Sequence, residues 1–312
     1  MLAKFTKLRI FIMNAQPLSI ATPYNILCLG ETGSGKTMTL ASLKSYVELD
    51  TWKKAYLTTG FEFPTKLKFE ISKGRTNPPF KVNFGDDDNE DHSVSGQSYT
   101  QTPKTYRINY ENTIYNFIDV PGSGDTRGVA QDDKNNKHII QVINKYDKIH
   151  MILVFMKSSD GRLSDKVTYS LNEILAKLYK KNRCQIGFVV THTKVADYEV
   201  GNAMNAIKLF AENLQRQQNI TVKIDRDNIY PIEHDAFKVF VGLQQEPELE
   251  NKINLEIFKE SWQESRATVI KLLQDIPKRI PQEFVSYYGL MIIGIICIGI
   301  WALESLIFKN RG

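Results

Sequence analysis

Read for hydrophobic and polar positions alone, the chain has a middle of short apolar runs alternating with longer amphipathic stretches. Residues 26–29 (ILCL), 150–156 (HMILVFM) and 185–190 (QIGFVV) are near-continuous apolar runs, the pattern of strands covered on both faces. Residues 104–110 (KTYRINY) alternate as an edge strand does, 115–120 (YNFIDV) read as its partner, and 228–232 (NIYPI) as a last short strand. Between them, 38–48, 131–146, 164–179 and 201–218 read as helices, with Ser164 at an N-cap position. Residues 249–276 place apolar side chains at 253, 257, 258, 262, 269, 272, 273 and 276, one face of a long helix. Pro277 and Pro281 predict a hinge after it. The stretch between residue 48 and the alternating strand at 104 is the least regular: Asn77-Pro78-Pro79 breaks it, and 85–96 (GDDDNEDHSVSG) reads as a solvated acidic loop. Strand and helix in alternation predict an α/β fold with a mostly parallel central sheet flanked by helices.

The two ends follow neither pattern. Residues 1–19 are basic, with no acidic side chain before Glu31, and predict an arm set off by Pro17 and Pro23; a mitochondrial-type presequence is the alternative. Residues 284–303 (FVSYYGLMIIGIICIGIWAL) carry no charge, and at 1.5 Å per residue a helix of that length spans about 30 Å, the thickness of a bilayer's hydrocarbon core. Tyr287, Tyr288 and Trp301 stand towards its two ends, where amphipathic rings favour the interface, and Lys278, Arg279, Lys309 and Arg311 flank it. The expected order is an arm at 1–19, a nucleotide domain at 20–245, a helical extension at 246–280, a single transmembrane tail anchor at 284–303 and a short basic tail at 304–312. Such a protein faces the cytosol from the endoplasmic reticulum or the mitochondrial outer membrane.

Composition removes other readings. The net charge of +5 in 312 residues is concentrated at the ends, so the middle is near neutral and no basic field argues for nucleic acid. Cys28, Cys184 and Cys297 are too far apart for a disulfide framework or a zinc pattern, and the five histidines show no metal spacing. Asp86, Asp88 and Glu90 lack the glycine and closing glutamate of a calcium loop.

The chemistry gathers at residues 30–37 (GETGSGKT), directly after the first apolar run. Gly30-x-x-x-x-Gly35-Lys36-Thr37 has the spacing of a Walker A loop. Glycines at 30, 33 and 35 let the loop, with Glu31, Thr32 and Ser34, turn successive N–H groups inward as an anion nest at a helix N-terminus. Lys36 is the expected partner of the β- and γ-phosphates and the Thr37 hydroxyl of Mg²⁺. The strand at 115–120 runs into Asp119-Val120-Pro121-Gly122, a D-x-P-G turn: the carboxylate belongs with Mg²⁺ and its waters, and the Gly122 N–H with the γ-phosphate.

GETGSGKT, GQSYTQ (96–101), IDVPGSGDTRG (118–128) and VVTHTK (189–194), in that order, resemble the septin-like P-loop GTPases, in particular the immunity-associated (GIMAP) proteins and the chloroplast-import Toc receptors. The resemblance covers roughly residues 24–243. It implies GTP/GDP and Mg²⁺ as ligands, with Thr100 as the switch threonine of the Mg²⁺ shell and Thr102 as its fallback. It makes Asp119 and Gly122 the switch II anchor, Thr191-His192 the guanine motif and Glu233 the acidic residue of the next base-contact loop. There is no N-K-x-D, so the choice of GTP over ATP rests on the resemblance alone. Ser123 stands where small GTPases place a water-orienting glutamine, which predicts slow hydrolysis. Pairing of two nucleotide faces in a homodimer would let Arg127 act as an arginine finger; otherwise Arg127 is a surface residue pairing with Asp125 or Asp132. The expected catalytic set is Lys36, Thr100, Gly122 and Arg127. The alternatives are a GTP-dependent membrane scaffold with negligible turnover and an ATP-binding P-loop protein.

Overall fold

Ile26, Leu27, Cys28 and Leu29 are all 2% exposed or less, because this run has no polar side chain to keep in water and so can lie at the centre of a sheet. The computed structural model describes residues 22–72, 78–85, 100, 102–122, 137, 139–146, 148–182 and 184–279. In chain order its elements are β1 (Tyr24–Gly30), α1 (Lys36–Glu48), α2 (Trp52–Leu57), β2 (Leu67–Ile71), β3 (Phe80–Phe84), β4 (Lys104–Tyr110), β5 (Thr113–Asp119) and β6 (Met151–Lys157). There follow α3 (Asp165–Asn182), β7 (Gln185–Thr191), α4 (Ala203–Gln218), β8 (Ile229–Ile232), α5 (Asp235–Gln245) and α6 (Lys259–Arg279). Pro23–Arg279 form one compact unit.

The main sheet has the order β4-β5-β1-β6-β7-β8, parallel throughout except for β4 at the edge. The strand order reverses between β1 and β6, and crevices for ligands in open α/β sheets form at the carboxyl ends of strands at such a point. Register brings Cys28 opposite Asp119 and Gly30 opposite Phe155, so the ends of β1, β5 and β6 lie side by side. On one face Leu27, Val154 and Phe188 pack with Val167 and Leu171 of α3 and Phe210 of α4. α1 and α6 pack against one another and against strands of the same sheet, α1 on β1 and β5, α6 on β8.

The fold is mixed α/β with a mostly parallel sheet between helices, as the alternation predicts. Three regions differ. The irregular stretch after residue 48 contains α2 and an antiparallel hairpin of β2 with β3, packed on α5. The helix expected over 249–276 begins only at Lys259. Before it the chain makes two 3₁₀ turns, Pro247–Asn251 and Leu255–Phe258, the second capped by the Asn254 side chain, which accepts from Glu256 N at 3.1 Å. Finally, α6 does not hinge at Pro277 but runs through it to Arg279. Proline has no N–H for the carbonyl four residues back, Leu273. That carbonyl instead accepts the Tyr115 hydroxyl at 2.8 Å.

Among the described residues no helix is long and apolar enough to cross a membrane. Residues 1–19, 284–303 and 304–312 lie outside them, as does most of the predicted acidic loop. Cys28 and Cys184 are buried free thiols.

Candidate functional site

The loop leaves β1 at Gly30 and enters α1 through Gly35, whose φ of 85° suits glycine far better than any other residue. A Cβ there would also stand 3.0 Å from Thr191 Cγ2 and 3.2 Å from His234 Cε1, so the loop is closely held. Lys36 is only 6% exposed, and its ammonium donates to the carbonyls of Gly30 (3.2 Å) and Glu31 (3.1 Å), arching over the loop. Thr191, the last residue of β7, donates its hydroxyl to Ser34 O at 2.9 Å and to Met156 O at 3.3 Å, pinning the loop to two strands. Beneath it, Thr39 Oγ1 bonds Gly35 O at 3.0 Å and His234 Nε2 at 2.9 Å. His234 is fully buried; burial, with the charge of Lys238 next, holds its pKa well below the ordinary histidine value.

At the other side of the loop three oxygens converge from three parts of the chain. Thr37 Oγ1 donates to Asp119 Oδ2 at 2.8 Å and lies 3.0 Å from Thr100 Oγ1, which is 3.5 Å from the same carboxylate oxygen. Asp119 is wholly buried. Burial pushes its pKa up, against the pull of Lys36, the two hydroxyls and the Val120 N–H. Its second oxygen, Oδ1, is buried without a hydrogen-bond partner, as are Thr32 Oγ1 and Ser34 Oγ. Buried polar atoms left unpaired are costly and call for a ligand or an ion. Thr32 and Ser34 lie in the loop and Asp119 at the end of the neighbouring strand, and the Thr37 and Thr100 hydroxyls with the Asp119 carboxylate are hard oxygen donors, suited to Mg²⁺ held jointly with phosphates. The residues present therefore fit magnesium and a polyphosphate. Among the described residues no group of three or more His, Cys, Asp or Glu side chains forms an alternative metal cluster. Gly122 closes the corner: a Cβ on it would stand 2.7 Å from Thr32 N, Cα and Oγ1, so only glycine lets the two loops meet.

The third group forms the rim beyond β7 and β8. His192 is exposed and left-handed (φ 56°), its ring 6.3 Å from that of His234; partial desolvation lowers its pKa. Glu233 is only 7% exposed, and both carboxylate oxygens accept backbone N–H groups, Oε1 from His234 (2.8 Å) and Oε2 from Lys194 (2.9 Å). It joins the loops after β7 and β8. From α6, Ser265 bonds both backbone groups of Glu233, at 3.0 and 2.8 Å.

The structure thus brings Gly30, Glu31, Thr32, Gly33, Ser34, Gly35, Lys36, Thr37, Thr100, Asp119, Gly122 and Thr191 to one end of the sheet, with His192 and Glu233 beside them. Arg127 and Ser123 lie outside the described residues. Thr39, His234 and Ser265 were not singled out from sequence, since the bonds that tie them to the site join residues far apart in the chain. A surface depression of about 680 Å³ between α3 and α4, lined by Tyr169, Asn172 and Arg216 among others, shares no residue with this site.

No family model matches the chain, and no curated protein matches it. Among solved structures it is similar to the Ski7 GTPase-like domain of S. cerevisiae, bound to GDP and inorganic phosphate, with 12% identity and a TM-score of 0.38. The match covers 72% of this chain and 44% of that one, less than half its length.

Proposed function

We propose that this chain is a guanine-nucleotide-binding protein that holds GTP with Mg²⁺ at residues 30–37 and hydrolyses it slowly. The observation that carries the reading is the Thr37–Thr100–Asp119 cluster beside Lys36, with Asp119 wholly buried and its Oδ1 unpartnered. Thr37, Thr100 and Asp119 are the residues to hold Mg²⁺, which when bound neutralises charge on the β- and γ-phosphate oxygens. Lys36 and the loop N–H groups bind the phosphates, and the Gly122 N–H meets the γ-phosphate. Thr191 fixes the loop, and His192 offers a ring to the base at the rim. Glu233 holds the two base-side loops together through backbone bonds. The preference for guanine follows from the family resemblance of Thr191-His192.

Serine at 123 cannot orient the attacking water as a glutamine does, which favours a low intrinsic rate. The same residue supports a second reading, a GTP-dependent scaffold that hardly turns over. Homodimerisation through the nucleotide face, with Arg127 reaching across, would raise the rate with protein concentration. The uncharged run at 284–303 supports anchoring in a bilayer, the endoplasmic reticulum or mitochondrial outer membrane being the membranes suited to a short basic tail. Titration of residues 20–280 with GTP and ATP, against His192→Ala, tests the reading: GTP binds more tightly and the substitution narrows the difference. ATP binding at least as tight as GTP overturns the guanine assignment, and loss of the intact chain from membranes in alkaline carbonate overturns the anchor.

A further inference from the structure

Among the described residues, the lysines around the loop are committed, with one exception. Lys36 bonds the loop carbonyls, Lys194 pairs with Asp235, and Lys238 lies over the Phe69 ring at 5.9 Å. Lys157 is the last residue of β6, the strand beside β1 at the reversal of strand order, and stands opposite Thr191 on β7. Its side chain is half-buried, and its ammonium has no hydrogen bond or ion pair among the described residues. It lies 3.9 Å from where a Cβ on Gly33 would be, against the crest of the phosphate loop. The backbone of Lys157 is fixed by Asp160: Lys157 N donates to Asp160 Oδ2 at 2.8 Å, and Lys157 O accepts from Asp160 N at 3.0 Å. Glu31 is near enough to feel the charge, yet forms no ion pair with it.

An ammonium at the crest of a phosphate loop, with no protein partner among the described residues, is placed to take an anion. We propose that Lys157 is a second nucleotide-binding cation, which meets non-bridging oxygens of the α- and β-phosphates where they leave the loop beside Gly33. This rests on the nucleotide reading above. Lys36, Thr37 and Asp119 mark the γ-phosphate and Mg²⁺ corner; Lys157 stands on the Gly33 side and next to Thr191, towards the base-side rim. It therefore supports GDP and GTP equally, and supplies the cation that the Thr191-His192 loop does not.

The test is direct titration of the full-length chain with GDP and GTP, comparing wild type with Lys157→Met, Lys157→Arg and the Lys157→Met/Glu31→Gln double variant. Lys157→Met is expected to weaken both nucleotides about tenfold and by the same factor, with a shallower salt dependence. Lys157→Arg stays within about threefold of wild type, and the thermal midpoint without nucleotide is unchanged. Lys157→Met binding as tightly as wild type overturns the proposal and leaves the nucleotide reading intact. So does a loss confined to GTP, or one restored by Glu31→Gln, which would make Lys157 a counter-charge to Glu31. A wild-type chain that binds neither nucleotide overturns both.

Discussion

At the scale of single residues, the site is organised around an acid kept in an unfavourable place. Burial raises the pKa of Asp119, so just above the ordinary carboxylate range the folded chain binds more protons than the unfolded one. Stability falls as pH rises through that window, and a cation at the carboxylate relieves the penalty of its burial. Asp119→Asn should therefore leave the thermal midpoint without nucleotide no lower than wild type, yet abolish the further rise that Mg²⁺ adds to GTP. A lower nucleotide-free midpoint with the Mg²⁺ effect intact would show a purely structural carboxylate. His150 works the other way. Burial, with Lys148 beside it, lowers its pKa to about 4, and its Nδ1 accepts the Asn25 N–H, a bond only the neutral ring can take. Its contribution is complete above pH 6.5 and is lost as pH falls towards 4, up to about 3 kcal/mol. Urea midpoints at pH 7 and 4.5 should therefore converge in His150→Asn relative to wild type. The motif residues were legible because phosphate chemistry demands them at fixed local spacing. His234 was not, because its partner Thr39 lies 195 residues away and leaves no local pattern. Glu233 was legible as an acid at a strand end, but its two backbone bonds, which make it a brace, come from folding.

At the scale of elements, the buried strands read plainly because continuous apolar runs have few other uses. The β2–β3 hairpin was missed although LKFEI and FKVNF both alternate, since the intervening Asn77-Pro78-Pro79 and the acidic stretch after it read as loop. α6 was legible in its buried face, with Trp262, Val269, Leu272, Leu273 and Ile276 all within 1% of full burial. Its beginning was not, because Ile257 and Phe258 continue the apolar spacing into a 3₁₀ turn where Ile257 is 56% exposed. Its end was misread because Pro277 breaks a helix only when the carbonyl it abandons stays unpaired, and Tyr115 supplies that partner from β5. Tyr115→Phe leaves Leu273 O buried without a donor and should cost about 1–3 kcal/mol in a denaturant titration. A smaller loss would mean that water or a relaxed helix end satisfies the carbonyl.

At the scale of the whole molecule, the sequence suggests a nucleotide domain at 20–245 and a helical extension at 246–280; α6, within that extension, packs on α1 and β8 and lies in the compact unit Pro23–Arg279. Trp262 is fully buried against Tyr46 of α1, ring centroids 4.7 Å apart, and Ser265 holds the Glu233 loop. A chain truncated after 245 should lose cooperative unfolding, while one ending at 280 keeps it; a cooperative, nucleotide-binding 20–245 fragment would show α6 to be dispensable. The anchor at 284–303 is a separate matter, carried by composition alone. The account's central claim is that the curled loop and its buried lysine hold a nucleotide's phosphates, and the most direct measurement is titration of Mg-GTP into wild type and Lys36→Ala. Loss of affinity by at least about a hundredfold, roughly 3 kcal/mol, with the fold retained is the expected result. Undiminished affinity in Lys36→Ala would contradict it.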